Sequence, residues 1–514
     1  MRREHDRYPA YVLGVLVVVY VFNFLDRQIL SILAERIKAD LGLTDAQIGF
    51  LYGTAFAVFY AIFGIPLGRL ADVWDRRRLI ALGLAAWSCM TAVSGLARSF
   101  GQLAAARIGV GIGEASATPA AFSLLSDYFP PARRATALAV YASGIYIGAG
   151  IGLGIGGVIV NRWDAAWAGA TAPFGLHGWQ VAFFAVGLPG LALALVVRTL
   201  REPVRGEADG LVAAPEARPF RAFAHELAAV LPPLTLVHLA VRGARHAAVN
   251  LVAAVAIAAG AIALTRVLGN PAQWIALGVG LYAAVSWTQA LRLRDPVAFA
   301  LIFRTPSIRL SALAFSFLAF TGYALGFWVP PFFVRVHGVS EAEAGLLLGG
   351  TAAVAGWLGA TAGGLLADRW RARTPTGRLR VAMLTATLPV PLAICVLTTH
   401  STTLAYLLNV PTIALQSTWL GAGASTVQDL VLPRMRATAS AAYLLLLTFV
   451  GLALGPYTVG RLSVALGDLR TAMLLALSAN ALALVFAALA ARHVARDEKS
   501  LLARARAAGE RLAA

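Results

Sequence analysis

The chain has 514 residues, 59% of them hydrophobic and only 13% charged, with a mean hydropathy of +0.73. A soluble domain carries about 25% charged residues, so this composition excludes an ordinary soluble enzyme and indicates an all-α polytopic membrane protein. The net charge of +18 does not mark a nucleic-acid binder, because the arginines fall in short clusters between apolar runs and form no single basic face.

Apolar runs of span length are predicted near 10–33, 46–71, 79–97, 102–125, 136–160 and 179–199. The first flows into a charged loop without a small-residue cleavage site and reads as an uncleaved helix. A polar stretch rich in Arg, Pro and Glu (about 200–222) leads to two further apolar runs, about 247–268 and 272–292. Six more spans follow near 308–333, 343–367, 381–398, 402–425, 439–464 and 470–491. The expected organisation is an N-terminal six-helix bundle (1–200), a cytoplasmic linker with an extra transmembrane hairpin (201–305), a C-terminal six-helix bundle (306–492) and a basic tail (493–514). That makes fourteen helices; an interfacial or re-entrant pair is the alternative for the hairpin.

Basic clusters occur at Arg76–Arg78, Arg133–Arg134, Arg198–Arg205, Arg369–Arg380 and Arg434–Arg436, and in the tail from Arg492 to Arg511. All fall on one side if the spans alternate, and the positive-inside rule makes that side cytoplasmic. Both termini are therefore expected inside, in a multi-pass protein of the inner (plasma) membrane. Cys89 and Cys395 sit in apolar segments and form neither a disulfide framework nor a metal cluster. The histidines, among them His177, His337 and His400, show no metal spacing, and no zinc helix, Walker loop or nucleophile elbow appears. No metal, cofactor or enzymatic activity is expected.

The chain repeats itself. GLTDAQIGFL at 42–51 matches GVSEAEAGLL at 338–347, an offset of 296 (338 − 42), and GRLAD at 68–72 matches GLLAD at 364–368 with the same offset. RATA at 134–137 recurs at 436–439, an offset of 302 that Asp127 and Asp429 share. Two halves in parallel orientation typify transporters whose substrate site lies between them near the bilayer midplane.

The G-x-L-A-D-x-x-x-R-R run (Gly68, Leu70, Asp72, Arg76, Arg77) resembles the loop motif of the major facilitator superfamily, with Val73 where that family usually has Arg and Asp75 where it usually has Gly. The N-terminal half is more specifically similar to spinster-type transporters, on NFLDRQILSIL, GFLYGTAFAVFYAIFGIPLGRLAD, ARIGVGIGEASATPAAFSLLSDYFPP and RRATALAVY. The resemblance implies the major facilitator fold, alternating access by rocking of two bundles, a monomer in the lipid bilayer, and a small-molecule or lipid-like substrate. Members of that family are proton-coupled or facilitative, and the eukaryotic ones export sphingosine phosphate or lysophospholipids. Drug efflux or small-carboxylate transport on the same fold stays open, as does a non-transporting membrane sensor.

Within the first apolar run, FLDRQIL places Asp26 and Arg27 where either charge costs about 2.5–3.5 kcal/mol. RIGVGIGEASAT puts Arg107, Gly111, Glu114 and Thr118 on one helical stripe. Helices 1 and 4 line the cavity in a facilitator fold, so Asp26, Arg27, Arg107 and Glu114 are expected to form a buried mixed-sign cluster, extended by Tyr20, Asn23 and Thr118. By the repeat, Asp26 and Arg27 correspond to Gly322 and Tyr323, and Glu114 to Gln416, so the charges belong to one half only. Glu114 is the first expected proton site and Asp26 the second, with Arg27 and Arg107 suited to an anionic headgroup. Tyr323, Trp328, Trp357, Gln416, Trp419 and Tyr443 are expected along an apolar-aromatic side of the cavity. Asp72, Arg76 and Asp127 are expected as a cytoplasmic latch, copied by Asp368, Arg371 or Arg373, and Asp429; the resemblance implies that such contacts stabilise the outward-facing state. Gly152-x-Gly154-x-x-Gly157 matches a dinucleotide fingerprint only formally, since it lies in an apolar span with no preceding strand, and reads instead as a close-packing face.

Overall fold

The computed structural model describes residues 7–205 and 218–510; the segment 206–217 of the polar linker and the end of the tail, with Arg511, lie outside the described residues. Among the described residues there are helices and turns and no strand. In chain order the principal helices are α1 (Tyr8–Ile32), α2 (Asp45–Val73), α3 (Arg76–Ser94), α4 (Phe100–Tyr128), α5 (Thr136–Ala166) and α6 (Gly178–Arg198). Between the two sequence halves lie α7 (Ala244–Leu268) and α8 (Pro271–Arg294). Then come α9 (Pro306–His337), α10 (Glu341–Arg373), α11 (Gly377–Thr398), α12 (Thr402–Gln416 and Leu420–Asp429), α13 (Pro433–Leu466) and α14 (Leu469–Lys499). Twelve of these are long and apolar enough to cross a membrane, α7 and α8 among them. The two that fall short are α3, which begins on three arginines, and α12, which is interrupted at 417–419.

Short polar signals set the boundaries. Thr44 and Gln47 form a reciprocal capping box at the start of α2, while Asp75, Ser99, Ser340 and Asp468 cap α3, α4, α10 and α14 through their side chains. The repeat is visible in the irregularities too. The helix α4 breaks just after Glu114, and α12 breaks just after its counterpart Gln416. Single π-turns interrupt α10 (Ala352–Gly356) and α13 (Thr448–Ala453), a feature frequent at functional sites.

Contacts divide the chain into two compact units that do not follow the sequence halves. The first comprises Met1–Leu43, Phe59–Leu227 and Pro330–Val354. Its hub is α5, which presents glycines on two faces. A Cβ at Gly148 would lie 2.3 Å from the Val21 carbonyl oxygen of α1, and one at Gly157 would lie 2.1 Å from the Glu341 carbonyl of α10. Backbone therefore meets backbone on both sides, and the glycine run is a packing seam. At the same end Arg36 donates to Glu341 at 2.6 and 3.2 Å, and Arg335 pairs with Glu35 at 2.5 Å.

The second unit comprises Thr44–Val58, Ala228–Val329 and Ala355–Ala514. Here the start of α2 packs on α13: Thr54 donates to the Ala453 carbonyl at 2.8 Å, and Ser463 donates to Asp45 at 2.7 Å. The helices α7 and α8 pack on α13 as well. Arg461 donates to the Leu268 carbonyl (2.9 Å), Asn270 to the Tyr457 hydroxyl (3.3 Å), and the Trp274 and Tyr457 rings meet edge to face at 5.7 Å. Asn250 is the one buried residue of α7; its side chain donates to Ser286 and Gln289 of α8 and accepts from Tyr282. That network satisfies every polar atom of a group costly to leave unpaired in apolar surroundings.

Candidate functional site

The four expected charges do meet inside the first unit. Asp26, Arg107 and Glu114 are each 0% exposed. Arg27 donates through Nε to Glu114 Oε2 at 2.7 Å, with Nη2 2.6 Å from the same oxygen. Its guanidinium is sandwiched by the rings of Phe24 and Tyr60, at 4.9 and 5.0 Å, in cation–π contact. Adjacent residues on a helix point about 100° apart, so Asp26 faces elsewhere. Its carboxylate lies beside Arg107 and Thr91, yet no arginine is bonded to it. Arg107 instead donates to the Asp26 main-chain carbonyl at 3.3 Å. The cluster therefore holds one acid locked to an arginine and one acid with arginine neighbours but no ion pair.

Of the expected supporting residues one meets the charges and two meet a tyrosine. Asn23 is buried and meets Glu114, Tyr20 stacks on Tyr141 at 4.3 Å, and half-buried Thr118 sits beside Tyr141. Sequence reasoning missed Phe24, Tyr60, Thr91 and Tyr141. The aromatic partners of Arg27 carry no motif; a ring three residues before an arginine on α1 was the only local signal.

The aromatic residues of the C-terminal half behave unequally. Gln416 reaches toward Gly322, whose Cβ position lies 3.9 Å from Gln416 Nε2, so the counterparts of Glu114 and Asp26 are neighbours. Tyr443 and Trp419 are buried against Phe315, and Tyr323 is near Tyr443. One expectation is corrected. Trp328 is a core residue, 0% exposed, with its indole nitrogen donating to the Pro456 carbonyl at 2.8 Å. Trp357, just past the π-turn of α10, is 46% exposed.

At the arginine-rich end the two latches form with partly different members. Arg76 is fully buried, donating to Asp127, to the Ser123 carbonyl (3.1 Å) and to Glu202 (2.7 Å). Asp72 does not join this ion pair; it is exposed, and Arg205 binds its main-chain carbonyl along with those of Ala71 and Trp74. In the second unit the counterpart of Arg76 is Arg378, which donates to Asp429 and to the Ser425 carbonyl (3.0 Å). Arg371 reaches Asp429 at 3.2 Å and also pairs with Glu498, whereas Asp368 is largely exposed and lies 3.7 Å from Arg378. Arg378 was legible in retrospect, since it stands at the 302 offset from Arg76 that Asp127 and Asp429 share.

The tail is tied down by a further clasp. Arg434 donates to Glu510 at 2.8 Å and to Asp295 at 2.7 Å. Burial pushes the Asp295 carboxyl up, but the Ala298 amide that it caps and the Arg434 guanidinium outweigh this and hold it below the usual carboxylate range. Glu510 is likewise lowered, chiefly by its hydrogen bond from Arg434.

Comparison with known proteins agrees with this architecture. A protein of Mycolicibacterium smegmatis described as an MFS-type efflux pump is 29% identical over 466 residues, covering 91% of this chain and 87% of its own. A probable L-galactonate transporter of Escherichia coli is 30% identical over 181 residues, 35% of this chain and 37% of its own. A solved structure of a bacterial homolog to the human lysosomal transporter Spinster, inward-facing and unoccupied, superposes with a TM-score of 0.72 at 27% identity, covering 95% of this chain and 98% of that one. The Major Facilitator Superfamily profile matches residues 16–456. The chain belongs to the Major Facilitator Superfamily, is similar to its spinster-like members, and is a multi-pass membrane transporter and not an enzyme.

Proposed function

We propose that the protein is a proton-coupled secondary transporter of organic anions, working as a monomer in the inner membrane with both termini cytoplasmic and the α7–α8 hairpin crossing the bilayer. The observation that carries this reading is the unequal pairing of the two buried acids. Asp26 is the acid whose proton can come and go without breaking an ion pair, while Glu114 is held by Arg27. With Asp26 ionised, two acids balance two arginines. With Asp26 protonated, Glu114 alone faces both Arg27 and Arg107, and the cluster carries one surplus positive charge. A charge at this depth is costly, so the protonated cluster favours an anion, and the cation placed to take it is Arg27, whose side chain is 12% exposed against 0% for its partner Glu114. Proton and anion then travel together. The rings of Phe24 and Tyr60 around Arg27 suit an anion with an apolar portion.

Both a sugar acid such as L-galactonate, named for the Escherichia coli relative, and an anionic lysolipid in keeping with the spinster likeness satisfy this chemistry. The mycobacterial relative's description as an efflux pump supports a second reading, export in exchange for protons. The sign of the pH effect separates the two. Labelled L-galactonate and lysophosphatidylglycerol are offered to proteoliposomes with an imposed pH gradient. Cotransport predicts accumulation on the alkaline side; accumulation on the acidic side is the outcome of exchange and overturns the cotransport reading.

A further inference from the structure

A groove of about 650 Å³ lies between the short helix Leu234–Ala240, α7 and α8. That volume is within the roughly 300–1,000 Å³ of small-molecule sites. The groove exists because α7 carries Ala254, Ala258 and Ala261 along one stripe facing it. Its walls are apolar, from Leu236, Ile257, Ile275 and Val279. The two hydroxyls in the lining are already committed, Thr265 to the Ala261 carbonyl at 2.8 Å and Tyr282 to Asn250 at 2.5 Å. Nothing inside the groove asks for a polar ligand. At its rim stands Arg266, exposed in the last turn of α7 and without an acidic partner among the described residues. The outward face of α7 is apolar along its length, with Val249, Val252, Val255, Ile262 and Val267 all exposed.

We propose that this groove holds one acyl chain of an anionic phospholipid from the surrounding bilayer, with the lipid phosphate on Arg266. The occupant follows from charge and chemistry. A hydrocarbon slot demands a hydrocarbon chain, and a lone cation at its mouth demands an anion on the end of that chain. The inference requires α7 and α8 to lie in the bilayer, where their exposed apolar surface meets lipid. It does not depend on the transport reading, because the groove shares no residue with the charge cluster.

The test is native mass spectrometry of the full-length protein titrated with phosphatidylglycerol or phosphatidylcholine. Wild type should retain phosphatidylglycerol preferentially. Arg266→Gln should weaken that binding roughly fivefold, the loss expected of one arginine at a membrane surface, and weaken phosphatidylcholine less, because its choline already offsets its phosphate. Ala258→Trp, which fills the slot, should reduce both. Unchanged phosphatidylglycerol retention in either folded variant overturns the proposal. Should the filled variant fail to fold, a phosphatidylglycerol with a photoreactive acyl chain keeps the question decidable on wild type. Labelling concentrated on α7, α8 and Leu234–Ala240 supports the site, and labelling spread evenly over the membrane-facing helices contradicts it.

Discussion

The α1–α4 pair and the α9–α12 pair are built on one plan and differ at their centres. The first buries Asp26, Arg107 and Glu114 and sets half-buried Arg27 against them; by the offsets of 296 and 302 the second has Gly322, Tyr323, Asn409 and Gln416 in their places. The arginine-rich ends are copied far more closely. Arg76 reaches Asp127 and Ser123, and Arg378 reaches Asp429 and Ser425, with sequence separations of 51 and 47 in both halves. What both halves keep is what the scaffold needs to hold its helix ends. What only one half keeps, at an insertion cost of several kcal/mol per charge, is where chemistry belongs.

The comparison can be broken most severely at Arg27. Arg27→Met should leave Glu114 buried without its partner and destabilise the protein by about 3–5 kcal/mol, measured as chemical or thermal unfolding in detergent. Arg27→Met with Glu114→Gln should recover most of that loss, because a neutral amide needs no counter-charge. An Arg27→Met variant as stable as wild type would show that the pair carries no buried charge.

The copied latches sharpen the comparison from the other side. Arg76→Ala removes a fully buried guanidinium that makes five hydrogen bonds to four residues and should cost about 3 kcal/mol. Arg378→Ala, at a more exposed arginine, should cost about 1 kcal/mol. Equal losses would mean that the two ends are loaded alike despite their different burial.

The tail clasp should give the smallest effect. Asp295 and Glu510 both titrate below their ordinary range in the folded protein. Groups lowered in this way contribute stability above their unfolded pKa values, near 4, and lose it as pH falls through the lower folded values. Hydrogen exchange in the helix Leu501–Ala507 should therefore quicken below about pH 4, while Arg434→Ala should already exchange fast at pH 7. Equal exchange in the two proteins at pH 7 would dismiss the clasp.

Much of this was legible in the sequence because membrane insertion taxes each charge separately. A lone Asp-Arg pair in an apolar run, and an Arg and Glu seven residues apart in another, stand out without knowledge of the fold. The repeat supplied the fold class, since its two offsets align α1–α6 with α9–α14. Less was legible where partners come from distant segments. Tyr60 and Thr91 reach the cluster only through packing of α2 and α3 on α1, and Glu202 reaches Arg76 from the loop beyond α6. The aromatic residues of the C-terminal half misled for a related reason. A tryptophan in an apolar span is as well suited to the core, as at Trp328, as to a surface, as at Trp357, and its one-dimensional context does not separate them.

The central claim is that Asp26 carries the proton and the anion follows it. Asp26→Asn fixes the site in its neutral form, with the surplus positive charge always present. For any anion that wild type accumulates under a pH gradient, the variant should still exchange internal for external anion at a rate within about tenfold of wild type, but should no longer accumulate it against its gradient. Proton-driven accumulation that survives undiminished in Asp26→Asn would contradict the account.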